Sequence, residues 1–355
     1  MTEKIRIKDI AERAGVSVGT VDRVLHQRPN VSPKSLEKVE QALKEMDYKP
    51  NMYASALAYN RTYHFAVVIP RHESVTYWEE IEEGTRMAVD ARGDFHVKAT
   101  MYYFDRFSDQ SFLETAEQCL ASHPDGVVMV PVEAGPSRIF TDKMHAAGLP
   151  FVMLDSYMPE LKPLAFFGQD SFSSGYFAAR MLMLIAHGEK EIMLFKLTTP
   201  EGHVASRQQD NREVGFRHYM KEHYPEVKII ELDLPLAAPR PEQNKLLEKF
   251  FEQYPNIHHC ITVGSKAHIV GNFLLQTNRR DIQIMGYDMV AKNAQCLRKG
   301  SISFLIAQHA YQQGYYSLDA LFRAIVLKQE VQPVNYMPIE LLSKENVDFY
   351  RKTQL

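Results

Sequence analysis

The sequence predicts an all-α helix-turn-helix head joined to an α/β body of two doubly wound parallel-sheet subdomains. Three observations predict it. Residues 5 to 26 carry two short apolar stripes at helical spacing, hinged at Gly15. From residue 64 onward, short continuous apolar runs alternate with amphipathic stretches, the pattern of strands buried on both faces between crossover helices. At 355 residues the chain is longer than one ordinary domain.

In the head, Ile10, Ala11 and Ala14 form the buried stripe of a first helix. Gly15 ends it by entering the left-handed region without a Cβ clash, and Val16 closes the corner. Ser17 stands as N-cap of a second helix, with Thr20 three residues on. Val21, Val24 and Leu25 give that helix one apolar face and leave Val18, Gly19, Asp22, Arg23 and His26 facing outward. An outward first turn is what a helix needs to enter the DNA major groove. Asn30-Val31-Ser32-Pro33 opens a third helix, with Ser32 as N-cap and Pro33 at the first helical position; Leu36, Val39, Leu43 and Met46 continue the stripe. Pro50 cannot continue a helix, and Met52 to Ala58 is helix-capable but too short to be stable alone. The expected division is a head over 1–49, a hinge helix and linker over 50–61 and a body over 62–355.

Strands are expected at 65–69, 126–130, 151–154, 164–167, 191–195, 227–230, 260–263, 282–285 and 304–307. Helices are expected near 78–92, 109–122, 136–147, 171–187, 211–223, 240–253, 266–276 and 310–328. In doubly wound sheets ligands bind beyond the carboxyl ends of strands. The residues at those ends are polar: Asp155, Gln169-Asp170, Ser265-Lys266, Asp288 and Gln308. Asp288 as acceptor for vicinal hydroxyls, Arg212 as donor, and an aromatic face suit a sugar. Asp155 and Asp170 suit helix capping equally well.

Composition narrows the function. Hydrophobic residues make up 45% and charged residues 24% of the chain, as in ordinary globular proteins. The net charge of −3 divides unevenly: residues 1–60 hold 10 Lys+Arg against 8 Asp+Glu, and the rest holds 31 against 36. Basicity is therefore local and mild, so DNA binding must depend on placement and dimer avidity more than on bulk attraction. No apolar run reaches the ~18 residues of a membrane span, and no signal peptide opens the sequence, which points to the cytoplasm and to no membrane partner. Cys119, Cys260 and Cys296 have neither disulfide nor zinc spacing. His258-His259, His268, His218 and His223 lack metal-ligand spacing, so neither a metal nor a cofactor is expected.

The Asp-Ile-Ala-Glu-Arg-Ala-Gly-Val-Ser core (residues 9–17), Val31-Ser-Pro33, and Tyr48-Lys-Pro-Asn51 followed by Ala54-x-x-Leu57-Ala58 resemble the lac-repressor (LacI) family of bacterial transcription regulators. The resemblance implies a homodimer on a palindromic operator. It places Ser17, Thr20 and Ser32 against phosphates, Val18, Gly19 and Arg23 at base edges, and Asn51 and Leu57 in the hinge, with Leu57 wedged into the minor groove. His26 and Asn30 are candidates for further base contacts. Asp22 stands where the family favours a small hydroxyl residue.

The body is similar to the family's periplasmic-binding-protein-like ligand domain. Arg212-Glu-Val-Gly-Phe216, Met285-Gly-Tyr-Asp288 and Leu305-Ile-Ala-Gln308 match its motifs, and Tyr77-Trp78 falls where that fold lays aromatics over a bound sugar. Ser265-Lys266 replaces the family's Asn-Asp pair, which hints at an acidic or phosphorylated sugar. The implied ligand set is Tyr77, Trp78, Asp155, Arg212, Ser265, Asp288 and Gln308. The implied subdomains are about 62–166 with 310–337, and about 167–306 with 338–355, joined by three crossings that make a hinge. A purine co-regulator suits the aromatic pair as well as a pyranose does. An enzyme is disfavoured by the lack of a phosphate loop, nucleophile elbow or spaced carboxylate pair.

Overall fold

A computed structural model describes residues 5–25, 29–46, 48, 61–74, 76–186, 188–199, 202–203 and 206–350. The chain divides into two compact units, Met1–Asn60 and Arg61–Leu355. In the first, α1 (Ile7–Ala14), α2 (Val18–Leu25) and α3 (Pro33–Glu45) surround a small core of Ile10, Ala11, Ala14, Val21, Val39 and Ala42. Gly15 takes φ 64° at the end of α1. Ser17 accepts from Thr20 N at 3.1 Å, and Ser32 caps α3 ahead of Pro33. The Arg13 guanidinium reaches Glu45 at 2.5 Å and ties α1 to α3.

The second unit has two lobes. The first contains β1 (Tyr63–Pro70), α4 (Tyr77–Asp90), β2 (Val97–Phe104), α5 (Asp109–Ala121), β3 (Gly126–Met129), α6 (Ala134–Ala146), β4 (Phe151–Leu154) and β5 (Ala165–Gly168). The second contains α7 (Ser171–Ile185), β6 (Glu191–Thr199), β7 (Gly202–His203), α8 (Arg207–His223), β8 (Lys228–Pro235), α9 (Arg240–Gln253), β9 (His259–Ile261), α10 (His268–Thr277), β10 (Gln283–Tyr287), α11 (Ala291–Arg298) and β11 (Phe304–Ala307). The chain then returns through α12 (Ala310–Leu321), whose last turn widens to a π-turn at Phe322–Val326. It ends with β12 (Val334–Tyr336) in the first sheet and β13 (Glu340–Leu342) in the second.

The sheets share one wiring plan. The first runs β12-β5-β4-β3-β1-β2; the second runs β13-β11-β10-β9-β6, with β8 and β7 paired to β6. All first-sheet pairings are parallel, and in the second only β7 and β13 pair antiparallel. β3, β4, β5 and β9 are buried along their whole length, as expected of strands covered on both faces. β5 carries the first sheet to Gly168, two residues past the expected boundary of 166. β2, β7, β12, β13 and α11 were not expected from the sequence, and α8 begins at Arg207, four residues before the expected start at 211.

Helices are exchanged between the lobes. α7 leaves the first lobe and packs on α8, while α12 leaves the second and packs on α4. Each pair is held close by two glycines. A Cβ on Gly84 would lie 1.9 Å from the Tyr311 carbonyl oxygen, and one on Gly314 would lie 2.0 Å from that of Ile81. Gly175 and Gly215 meet the backbones of Arg212 and Phe172 in the same way. Because backbone, not a mobile side chain, occupies the space, Gly84→Ala forces the helices apart. The expected cost is about 1–3 kcal/mol, a fall in Tm of roughly 2–12 °C by calorimetry. An unchanged Tm would contradict this packing.

The three crossings between lobes are bonded together. Gln169, on the first, donates to the Ala307 carbonyl at 3.1 Å and to the Pro338 carbonyl at 2.9 Å, so one side chain touches all three. Met337 N donates to Gly168 O at 2.8 Å. No helix among the described residues is long and apolar enough to cross a membrane.

Candidate functional site

The head presents one polar helix surface. Val21 turns inward, while Ser17, Val18, Gly19 and Arg23 are exposed and Thr20 is half-buried. Ser17 and Thr20 hydroxyls lie 2.9 Å apart, at the N-terminal end of α2. Asn30 takes φ 70°, a left-handed conformation that Asn tolerates, and with Ser32 it is exposed beside the start of α3. His26, Asn51 and Leu57 lie outside the described residues.

The body holds a cavity of about 390 Å³ between its lobes. It lies beyond the carboxyl ends of the strands, where short loops turn polar residues inward. Tyr77, Trp78, Asp155, Arg212, Ser265, Asp288 and Gln308 all line it. Asp155 follows β4 and Asp288 follows β10, the same position in each sheet, and both are left-handed, with φ 68° and 71°. Their amides bond the neighbouring strand, Asp155 N to Phe167 O at 3.0 Å and Asp288 N to Ile306 O at 2.9 Å. Asp170, by contrast, caps α7, accepting from Ser173 N at 3.0 Å.

Arg212 is 1% exposed on α8, although it carries a full charge. Nη1 donates to the Val263 carbonyl at 2.9 Å, Nη2 to Gln308 Oε1, and the guanidinium lies 4.2 Å from the Tyr287 ring centroid. Gln308 Nε2 donates to Asp288 Oδ1 at 2.5 Å, and Gln208 Nε2 donates to Gln308 Oε1 at 2.9 Å. On the other side of the cavity the Tyr77 hydroxyl donates to Asp155 Oδ1 at 2.6 Å. Arg212 Nε is buried with no hydrogen-bond partner among the described residues. An unmade bond of that kind is costly unless a ligand completes it. Trp78 is half-buried at the wall, edge-on to Tyr77 at 5.0 Å.

Burial raises both carboxyls. It pushes Asp288 up to about 6 against the pull of Arg212 and Gln308, and it raises Asp155 against Tyr77, Arg212 and Arg106. Burial and the Asp155 charge hold the Tyr77 hydroxyl well above its ordinary range, so it stays a donor. An unfolded Asp288 ionises near 3.8, whereas the folded one keeps its proton to about 6. Between those values the fold binds more protons, so this group's contribution to stability falls as pH rises. Asp288→Asn is expected to lack that slope and to gain roughly 1–3 kcal/mol relative to wild type between about pH 4 and pH 6, read by urea unfolding. A pH-independent difference would contradict it.

Sequence reasoning missed Arg106, Gln208, Gln209 and Thr262 in the wall. Gln208 lies one helical turn before Arg212 on α8; the spacing was visible, but the helix was expected to start too late to use it. Asn293, also unforeseen, donates to the carbonyls of Ser265, Tyr287 and Asp288 and fixes the loops that carry two lining residues. Among the described residues no cluster of His, Cys, Asp and Glu could hold a metal ion, and the three cysteines are buried and free.

Two family descriptions match the chain: bacterial regulatory proteins of the lacI family over residues 6–51, and a periplasmic binding protein domain over residues 65–329. The HTH-type transcriptional regulator DegA of Bacillus subtilis is 27% identical over 69% of this chain and 70% of its own. The ribose operon repressor of Halalkalibacterium halodurans is 23% identical over 95% of this chain and 94% of its own. A crystal structure assigned to a LacI transcriptional regulator from Bacteroides fragilis superposes with a TM-score of 0.79 at 40% identity, covering 82% of this chain and all of that one. With a helix-turn-helix head at one end and a periplasmic-binding-protein body behind it, the chain belongs to the lacI family of bacterial regulatory proteins.

Proposed function

We propose that the protein is a homodimeric repressor of carbohydrate-utilisation genes, bound to a palindromic operator in the cytoplasm and switched by a sugar or sugar derivative in the cleft of its body. The observation that carries this reading is the buried Arg212–Gln308–Asp288 chain, facing Asp155 and Tyr77 across the cavity and flanked by Trp78. Two carboxylates accept from vicinal hydroxyls, Arg212 Nε gains its missing acceptor, and the indole stacks on the C–H face of a ring. Such a ligand contacts both lobes at once. Its binding energy therefore favours closure about the Gln169 crossings, and closure of each lobe pair alters the spacing of the two heads in the dimer.

In the head, Ser17, Thr20 and Ser32 position the protein on phosphates, while Arg23, with Val18 and Gly19, reads base edges and Asn30 adds a contact nearby. Asn51, Leu57 and His26 complete the assignment by resemblance. As relatives named for transcriptional regulation and operon repression suggest, the chain has no role as an enzyme. The test is a gel-shift titration against genomic fragments at physiological salt, repeated with sugars, sugar acids, sugar phosphates and nucleobases. Preferential retention of one fragment, altered by a carbohydrate, supports the proposal. Alteration by a nucleobase alone would replace the sugar with a purine, and the absence of any preferred fragment would defeat it.

A further inference from the structure

The cavity sorts its charges by depth. Its inner end is formed by Arg212, Asp155, Asp288 and Gln308, each 5% exposed or less. Its outer end carries Arg71, Glu73, Arg106 and Lys266. Lys196 also lines the wall, but it is committed to Glu231 at 2.6 Å and Glu213 at 3.5 Å. Arg106 follows β2 in the first lobe and packs over the Phe107 ring, 5.1 Å from its centroid. Lys266 stands between β9 and α10 in the second lobe and makes no ion pair among the described residues. Arg106 and Lys266 thus face one cavity from opposite lobes.

Lys266 sits in the field of Arg106. Burial lowers the Lys266 ammonium below its ordinary range, Arg106 and Lys292 lower it further, and only Glu73 acts the other way. Burial likewise lowers Arg106, offset by Asp155 and Asp105. Nearby His268 is pushed down to about 4 by burial, with Lys292, Lys266 and Arg240 adding to the effect despite its bond to Asn293. It is neutral and relieves none of the positive field. Two like charges approaching across a desolvating cleft oppose its closure. A negative group between them turns that repulsion into two attractions that exist only when the cleft is shut, which is the differential affinity a switch requires.

We propose that the effector carries an anionic group, a carboxylate or a phosphate, held at the outer end of the cavity between Arg106 and Lys266 while its hydroxyls meet Asp155, Arg212 and Asp288. The inference rests on the cleft being the effector site. Lys266, where the resemblance leads one to expect Asp, puts a cation in place of an acceptor-only carboxylate, and Ser265, in place of Asn, keeps a hydroxyl that can donate.

The test uses the full-length protein and the fluorescence of Trp78, the single tryptophan. Titrations compare D-glucuronate and D-glucose 6-phosphate with D-glucose, and D-galacturonate with D-galactose. At least one anion is expected to bind roughly tenfold or more tightly than its neutral parent, with the uronate and phosphate arms distinguishing the two sources. In Lys266→Gln and in Arg106→Gln that ratio is expected to shrink to about twofold or less, and in Lys266→Glu to invert. A neutral parent bound as tightly as its anions, or a ratio unmoved by all three variants, overturns the proposal while leaving the cleft as a sugar site. Absence of binding by every compound defeats the cleft reading and this inference with it.

Discussion

Replacing Arg212 with alanine is expected to abolish the response to the effector while ligand-free operator affinity changes by less than about twofold. In the proposed site the guanidinium offers Nε to the ligand; it also bonds Gln308, which in turn holds the Asp288 carboxylate. Charge-assisted hydrogen bonds in a desolvated site contribute about 1.5–3 kcal/mol each, so losing the ligand bond and loosening Asp288 predicts a roughly 100-fold or greater loss of effector affinity. The head forms a compact unit of its own, and Arg212 belongs to the other. Because the alanine variant leaves Asp288 buried without its cation, the body loses stability as well. Arg212→Lys controls for this: it keeps the charge but lacks the planar fork, so it is expected to hold Tm closer to wild type and still to lose most of the response. Undiminished response in either variant would move the effector elsewhere.

Arg23→Ala is expected to weaken specific operator binding by roughly 10- to 150-fold, the ~1–3 kcal/mol of a bidentate guanine contact. The side chain is exposed on the outer face of α2, whose packing depends on Val21, so the head should remain folded. Binding to unrelated DNA should change far less, because phosphate attraction is shared among several groups. Gel shifts on operator and scrambled duplexes give both numbers. An equal loss on both would make Arg23 a phosphate contact and leave sequence reading to its neighbours.

The head was legible because its determinants are local. A glycine at φ 64°, a serine cap and a proline at the first helical position act within a few residues of themselves. The cleft was legible for a different reason: alternating strands and helices dictate parallel sheets, and parallel sheets place ligands at strand ends. Those ends could be read directly as Asp155, Asp288 and Gln308. What separates Asp155 from Asp170 is not composition but backbone conformation. The first sits at φ 68° and turns into the cavity, while the second keeps the extended φ of −65° that suits an N-cap.

Other parts were hidden by the chemistry that makes them useful. β2 is an edge strand whose exposed Lys98 and Thr100 interrupt the apolar run, so both the strand and Arg106 at its end escaped notice. The first turn of α8 reads Arg207-Gln-Gln-Asp-Asn211, without an apolar stripe, because its Gln208 faces a polar cavity instead of a core. In a sequence, a residue facing a wet cleft resembles a residue facing solvent. α11 is only eight residues long, and its buried apolar residues, Ala294, Cys296 and Leu297, are too few to set a helical period.

In the proposed switch, occupancy of the cleft and grip on DNA are one coupled equilibrium. Coupling of binding free energies is reciprocal, so an effector that changes operator affinity by a given factor must have its own affinity changed by the same factor when operator is present. Trp78 fluorescence titrations of the effector, with and without saturating operator duplex, measure this directly. Two different dissociation constants are expected, with a ratio equal to the shift in operator affinity measured by gel retardation. Identical effector affinity in the two titrations would contradict it.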